Sequence, residues 1–393
     1  MRRDPLAYLT EELNGLKTQG LYRRLRVLDG EQKAHASVDH RSVVNLSSNN
    51  YLGLTTHPKL REAAIEAVRR FGAGSGSVRT IAGTMELHME LERKLATFKN
   101  VEAVVVFQSG FTANAGTVSA VLTKDNIIIS DELNHASIID GCRLSRADIQ
   151  VFPHKDVTAA RAILEKLPTG PRKLLITDGV FSMDGDLGPL PALCDLAEEF
   201  GCVMMVDDAH ASGVFGKQGR GTIDHFGVHG RVDIQVGTLS KAFGALGGYV
   251  AGTRDLIEFL YHRARPFLFS TSHPPAVAAA CLAAIDVLQT EPEWMERLWA
   301  NTRFFKKGLQ ALGFDTGISE SPITPVITGD GALAMKLSDR LFEEGVFAQG
   351  IAFPTVPRGR ARVRTIVTAT HAPEDLQFAL DMFKKVGAEL GIV

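Results

Sequence analysis

The sequence predicts an α/β protein with a mostly parallel sheet flanked by helices, followed by a smaller α+β domain. Between residues 101 and 252, short apolar runs alternate with helical patterns. The runs lack the polar alternation of half-exposed strands, so each is expected to be buried on both faces, as in parallel sheets. We therefore predict an N-terminal helix and arm over residues 1–49, a large α/β domain over 50–285 and a small domain over 286–393.

The composition limits the classes of function. Of the 393 residues, 45% are hydrophobic and 22% are charged, and the formal net charge is −2. These values are ordinary for a globular protein, and without a basic block they give no electrostatic support for binding nucleic acid. The sequence contains no run of about 18 apolar residues, so we expect no membrane span. Its first residues lack the apolar core of a signal peptide. Four scattered cysteines without metal-type spacing favour a reducing, cytoplasmic setting and no metal site.

The elements outside the sheet follow from helical spacing and helix-start signals. Leucines predict a first helix with its exit, Pro58 opens the second helix, and the glycine-rich segment 72–79 interrupts the helical pattern. The predicted elements are a first helix with its exit over about 5–28, helices over about 58–71, 294–311, 331–345 and 373–389, a helix containing Leu87, Leu91 and Leu95, and a strand over 361–367.

The apolar runs themselves are the predicted strands of the sheet. They cover residues 103–107, 127–129, 174–176, 203–206, 234–236 and 249–251. In such sheets ligands bind beyond the carboxyl ends of the strands, so the residues after each run are the candidates for a site.

Chemically useful residues follow the first four runs. The small-residue turn 108–114 opens a helix whose first N–H groups suit a phosphate. His135 offers a flat ring after the second run, and Ser182 offers a hydroxyl after the third. Asp207 and His210 follow the fourth, where a buried carboxylate needs a cationic partner. The purely structural alternatives are a packed loop histidine, an ordinary strand-to-helix turn and a capping aspartate.

Lys241 follows the fifth run, in a tight loop rich in small residues. Its alternative interpretation is a surface lysine, but small neighbours suit the close approach of a flat, phosphorylated partner. A lysine, a carboxylate, two imidazoles and a phosphate seat together match pyridoxal phosphate. The lysine forms a Schiff base with its aldehyde, and the carboxylate keeps its pyridine nitrogen protonated, so that the ring can act as an electron sink. A dinucleotide fingerprint is missing from the opening of the first βα unit.

Five segments carry a resemblance to the α-oxoamine synthases, within the aspartate-aminotransferase-like fold (fold type I) of pyridoxal-phosphate enzymes. The segments are 47–54, 131–137, 178–185, 206–210 and 237–241, and the resemblance extends nearly end to end. It implies a mostly parallel seven-stranded sheet, pyridoxal 5'-phosphate as cofactor, amino-acid and acyl-CoA substrates, and a homodimer with shared active sites.

The resemblance also implies roles around the cofactor ring. Lys241 would bond to the cofactor and later carry a proton, and Asp207 would pair with the ring nitrogen. His135 would stack on the ring, while Ser182 and His210 would contact its phenolic oxygen.

The phosphate and the substrates have their own implied contacts. Backbone N–H groups of Gly110 and Phe111 and the hydroxyl of Thr238 would hold the phosphate, joined by Ser270 and Thr271 of the neighbouring subunit.

The amino-acid carboxylate would bind Asn49 and Arg364, since arginine suits it by bidentate geometry. Arg362 and Arg364 share a face of one strand, so that one of them could turn inward. Thr355 and Arg23 would contact substrate.

The choice of family member rests on a few segments. Segments 131–146 and 265–270 look most like glycine C-acetyltransferase, whereas 354–364 is shared with 8-amino-7-oxononanoate synthase. We therefore expect glycine and acetyl-CoA to give 2-amino-3-oxobutyrate, with the reverse cleavage serving threonine breakdown. The alternative is 8-amino-7-oxononanoate synthase, which joins alanine to pimeloyl-CoA with loss of carbon dioxide in biotin synthesis. Serine palmitoyltransferase, 5-aminolevulinate synthase, an aminotransferase and a cofactor-free scaffold are less favoured.

Overall fold

The structure is a computed structural model that describes residues 4–19, 22 and 24–393. Its strands are β1 (His35–Val38), β2 (Arg41–Asn45), β3 (Ala103–Phe107), β4 (Ile127–Asp131), β5 (Asp148–Phe152), β6 (Lys173–Asp178), β7 (Val203–Asp207), β8 (Ile234–Thr238), β9 (Gly248–Gly252), β10 (Ile323–Gly329), β11 (Val346–Phe347), β12 (Gln349–Ile351) and β13 (Ala361–Ile366). Its helices are α1 (Tyr8–Thr18), α2 (Pro58–Phe71), α3 (Glu86–Lys99), α4 (Gly110–Val121), α5 (Ala136–Ser145), α6 (Val157–Leu164), α7 (Leu190–Phe200), α8 (Thr222–His225), α9 (Arg254–Arg263), α10 (Arg265–Leu268), α11 (Pro275–Thr290), α12 (Glu293–Ala311), α13 (Gly331–Glu343) and α14 (Pro373–Glu389).

The predicted fold class is confirmed by a seven-stranded sheet in the order β3-β9-β8-β7-β6-β4-β5. All its strands run parallel except β9, which is antiparallel to both neighbours. Six strands coincide with the predicted apolar runs. The seventh, β5, was missed because its sequence Asp-Ile-Gln-Val-Phe lies at the sheet edge and is buried only at its last residue.

Helices cover both faces of this sheet, which explains the continuous apolar runs. Along β4, Ile128 packs with α4, α5 and α9 on one face. Ile127 and Ile129 pack with α6 and α7 on the other. Because adjacent strand residues point to opposite faces, a strand buried on both sides must be apolar throughout.

The C-terminal part of the chain forms a second, smaller arrangement of strands and helices. An antiparallel sheet has the order β10-β13-β12, and β11 joins the N-terminal hairpin of β1 and β2. The helices and the strand predicted here are all present. Helix α11 extends across residue 285, and the boundaries at 49/50 and 285/286 remain predictions.

The predicted first helix is present as α1, which ends at Thr18, within the span predicted for the helix and its exit. The apolar side chains Leu9, Leu13 and Leu16 of α1, and Leu6 just before it, are all exposed in the single chain. Among the described residues, no helix combines the length and apolar character needed to cross a membrane.

Candidate active site

The carboxyl ends of the parallel strands converge on a cavity of about 180 Å³. Side chains from the ends of β6, β7 and β8 meet there with the starts of α4 and α5. The lining residues are Gly110, Phe111, His135, Ser137, Asp178, Ser182, Asp207, Ala209, His210, Thr238 and Lys241. The fold thus brings together candidates that are separated by up to about 130 residues along the chain.

Asp207 ends β7 and is buried, with two donors holding its carboxylate. Its Oδ1 accepts the backbone N–H of Ala209 at 2.8 Å. Its Oδ2 accepts Nδ2 of Asn114 at 2.6 Å, and the same amide nitrogen donates to the Ser137 hydroxyl at 2.9 Å. Asn114 was missed by the sequence reasoning, although an amide in a helix of small and apolar residues is a signal in itself.

Lys241 lies in the loop between β8 and β9, and its amine faces the cavity. Burial lowers the pKa of this amine to about 8, although the charges of Asp207 and Asp178 act in the opposite direction. The lowered pKa raises the neutral fraction of the amine, which is the form that attacks a carbonyl. Gly244 closes the loop at φ +70°, where a Cβ would lie 2.6 Å from the Thr55 backbone nitrogen.

His135 caps α5 and presents its ring to the cavity. Its Nδ1 pairs with the Ser137 hydroxyl at 2.7 Å, and its backbone N–H donates to Asp178 Oδ2 at 2.8 Å. Burial lowers the pKa of His135, which favours the neutral ring expected of a stacking partner. Burial and the charge of Asp207, its register partner on the next strand, raise the pKa of Asp178 well above its usual range.

His210 is buried beside the cavity, and Tyr51 orients it. The Tyr51 hydroxyl and His210 Nδ1 are 2.7 Å apart, so Nε2 is the nitrogen left for a ligand. Burial lowers the pKa of His210 well below its ordinary value, with the cations Lys241 and Arg364 acting in the same direction. Tyr51 lies in a segment that carried the resemblance, but no role was predicted for it.

The expected phosphate seat lies at the start of α4. The Ser109 hydroxyl accepts the N–H of Thr112, whereas Gly110 and Phe111 provide helix-start N–H groups without an acceptor inside the helix. The Thr238 hydroxyl donates to the carbonyl of Gly247 at 2.8 Å, so it must turn to donate to a phosphate. The backbone therefore offers the preformed part of this seat.

Arg364 and Asn49 lie close together beside Ser182, which lines the cavity. Arg364 Nη1 donates to the carbonyl of Ser182 at 3.0 Å, and its Nη2 is 3.5 Å from Asn49 Oδ1. Both arginines of the shared strand face turn inward, but Arg362 is bound to Asp184 at 2.6 Å and to a backbone carbonyl. Arg364 is consequently the arginine with capacity for a further carboxylate.

The remaining predicted residues lie outside the small cavity. Thr355 is exposed and lines an adjoining cavity of about 510 Å³, which shares His135 and Ser182 with the first. Ser270 and Thr271 do not line either cavity of this chain. Arg23 lies outside the described residues.

The donor set fits pyridoxal phosphate. A buried carboxylate with both oxygens already held by donors suits a protonated ring nitrogen, and the amine of Lys241 suits an aldehyde. The cavity also opens toward helix-start N–H groups that suit a phosphate.

The fold and the site residues agree with the family of pyridoxal-phosphate enzymes to which this chain belongs. Residues 41–383 match the family of aminotransferases class I and II. The chain is similar to the 8-amino-7-oxononanoate synthase of Symbiobacterium thermophilum, with 64% identity over 98% of this chain and 99% of that protein. The synthase of Thermoanaerobacter pseudethanolicus is 57% identical over 99% of this chain and 98% of that protein.

A solved structure supports the same class. A serine palmitoyltransferase variant from S. paucimobilis, solved with pyridoxal phosphate bound to myriocin, superimposes with a TM-score of 0.94 at 34% identity. Each chain is covered completely. The family and this neighbour confirm pyridoxal phosphate as the expected cofactor.

One expectation about the family member is wrong. The chain was expected to be nearest to glycine C-acetyltransferase, but the relatives at 57% and 64% identity are 8-amino-7-oxononanoate synthases. Segment 131–146 was a poor guide to the acyl substrate, because the residues that it contributes to the cavity, His135 and Ser137, are expected to meet the cofactor. The relatives support the alternative, 8-amino-7-oxononanoate synthase. The expected role in threonine breakdown depended on glycine C-acetyltransferase and is therefore not supported either.

Proposed function

We propose that this chain is a pyridoxal-phosphate-dependent acyltransferase that condenses alanine with pimeloyl-CoA to 8-amino-7-oxononanoate, as in biotin synthesis. The observation that carries the proposal is the 64% identity to an 8-amino-7-oxononanoate synthase over 98% of the chain. It is supported by a cavity in which the amine, carboxylate and imidazoles required by the cofactor meet. A cytoplasmic location is part of the proposal, based on four cysteines without disulfide partners.

Bound pyridoxal phosphate supplies an aldehyde for the amino acid and an electron sink for the charge that develops at its Cα. In this proposal Asp207 holds a proton on the ring nitrogen, and Asn114 keeps the carboxylate oriented. His135 covers the ring, and His210 offers Nε2 to its phenolic oxygen.

The substrate groups meet the other residues. Arg364 and Asn49 bind the carboxylate of alanine. Lys241, whose amine is neutral at pH values above its pKa of about 8, removes the Cα proton. A bond then forms between Cα and the acyl carbonyl carbon, the carbon–sulfur bond breaks, and CoA leaves as the thiol. Loss of the carboxylate as carbon dioxide leaves an electron pair at Cα, which takes up a proton, so that the overall reaction consumes one proton. Thr355 lines the larger cavity and is proposed to contact the acyl-CoA.

We also propose a homodimer in which Ser270 and Thr271 reach the partner's phosphate. In the single chain, large apolar side chains are exposed next to Ser270 and in the loop that carries Lys241, namely Phe269 at 70% and Leu246 at 49%. Phe111, at the cofactor cavity, is also about half exposed. A second copy would cover them. Sedimentation velocity should give a mass of two chains, and a monomer with full activity would contradict the dimer.

The decisive experiment compares substrate pairs by thiol and carbon dioxide release. Acetyl-, succinyl-, pimeloyl- and palmitoyl-CoA are each supplied with glycine, alanine or serine. We expect the highest kcat/KM with pimeloyl-CoA and alanine, and one carbon dioxide for each thiol released. Lys241→Ala should lose turnover. Preference for acetyl-CoA with glycine, or amino transfer to a 2-oxo acid without thiol release, would refute the proposed function.

A further inference from the structure

A histidine outside the cofactor cavity lies between two buried carboxylates. His154, in the turn after β5, places Nδ1 3.1 Å from Asp131 Oδ1 and Nε2 3.0 Å from Asp186 Oδ2. Both acid side chains are completely buried. Asp131 also accepts backbone N–H groups from Leu133 and Lys155, and the Lys155 ammonium lies 3.0 Å from Asp186.

These contacts determine the charge of the ring. Asp131 accepts a backbone N–H at each oxygen, and Asp186 faces the Lys155 ammonium through Oδ2, while its Oδ1 has no partner among the described residues. Burial raises the pKa of Asp186, but His154 and Lys155 outweigh it and lower that pKa. An ionised carboxylate only accepts hydrogen bonds. Both ring nitrogens of His154 must therefore carry protons. Burial lowers the pKa of His154, but the hydrogen bonds to Asp131 and Asp186 outweigh it and raise the pKa to about 9.

The two acids belong to the loops that carry site residues. Asp131 ends β4, four residues before His135, and Asp186 follows Ser182 by four residues. The Asp186 carbonyl accepts the N–H of Phe181 at 3.0 Å, and the Phe181 ring meets the His154 ring edge-on at 4.3 Å. His154 therefore connects the loop that leads to His135 with the loop that carries Ser182.

We propose that His154 is a positioning residue which, as an imidazolium ion, ties the 131–135 loop to the 181–186 loop and fixes His135 and Ser182 across the cofactor cavity. The effect of His154 on cofactor binding rests on the proposed function. Its positive charge and its hydrogen bonds to the two loops do not depend on that function.

The other charged groups around His154 fit this role. Glu132 accepts the His154 backbone N–H at 2.9 Å, and Glu320, from the segment before β10, lies 3.8 Å from the Lys155 ammonium. Two buried acids are thus balanced by two cations, His154 and Lys155. A neutral ring would turn a lone pair toward one carboxylate, which would break the link on one side.

The first test measures the charge directly in the holoenzyme. Nitrogen-15 NMR of the histidine rings, with His154 assigned from the signal lost in His154→Gln, should show an imidazolium at pH 7.5 that titrates near pH 9. A neutral His154 at pH 7.5 would overturn the proposal. Because this measurement needs no turnover, it decides the charge even if the proposed reaction proves wrong.

The second test measures the dissociation constant of pyridoxal phosphate in the wild type, in His154→Gln and in a control, His229→Gln. His229 pairs with a single acid, Asp224, at 3.0 Å and lines neither site cavity. We expect His154→Gln to weaken binding by roughly tenfold to a hundredfold at pH 7, since small displacements of positioned groups have effects of this size.

The pH dependence separates positioning from general damage. The ratio between variant and wild type should shrink toward one as the pH rises past about 9, because the wild-type ring then also becomes neutral. Titration of Lys241 cancels in this ratio, since both proteins contain it. A ratio near one at pH 7, a ratio that does not change with pH, or an equal loss in His229→Gln would refute the role.

Discussion

Replacing Asn114 with leucine should weaken cofactor binding without unfolding the protein. Asn114 is completely buried on α4, and its amide donates to Asp207 Oδ2 at 2.6 Å while its Oδ1 has no partner among the described residues. Leucine has the same branching and the same number of side-chain heavy atoms, and it removes the amide that donates to Asp207 and to Ser137. A hydrogen bond to a charged group contributes about 1.5–3 kcal/mol, which corresponds to roughly 10–150-fold in affinity. The Ala209 N–H would still hold the other oxygen.

The assay is a titration of the apoprotein with pyridoxal phosphate, followed by visible absorbance. The matched control is Thr117→Val, one turn further along α4, where the buried hydroxyl also has no partner among the residues described. We expect the control to bind as the wild type does. The reasoning is refuted if Asn114→Leu binds as tightly as the wild type, or if both variants lose affinity equally.

Three further predictions concern hydrogen bonds and charges around the site. Tyr51→Phe removes the 2.7 Å hydrogen bond that orients His210. We expect kcat to fall several-fold, which corresponds to about 1 kcal/mol in activation free energy, with an unchanged melting temperature. An unchanged kcat would contradict this expectation. Arg79→Met leaves the buried Glu92 without its bidentate partner, so unfolding in urea should show a loss of about 3–5 kcal/mol, and replacing both residues by apolar ones should restore most of it. Equal losses in the single and double variants would count against that account. Protonated His154 stabilises the fold below its unfolded pKa of 6.5, and this contribution is lost as the pH rises toward about 9. Relative to His154→Gln, the wild type should therefore lose on the order of 3 kcal/mol over that range in equilibrium unfolding, and a constant difference would be the contrary result.

Much of the fold was predictable because it depends on local patterns. The strands buried on both faces contain short apolar runs, and the helix starts carry Pro58 and Ser109 as local signals. The strand β5 was missed because an edge strand does not need a continuous apolar sequence. The end of the first helix at Thr18 was not predicted, since leucine spacing alone does not show where the chain leaves the helix.

The amino-acid sequence by itself determined the type of sheet, the cofactor class and the strand-end residues Lys241, Asp207 and His135. Only the tertiary structure decided which partners hold them, such as Asn114 on Asp207 across 93 positions and His154 between two loops. The physical reason is that a strand pattern depends on neighbours two residues away. A side-chain contact between distant segments depends instead on the order and register of the strands, which place Asp178 beside Asp207.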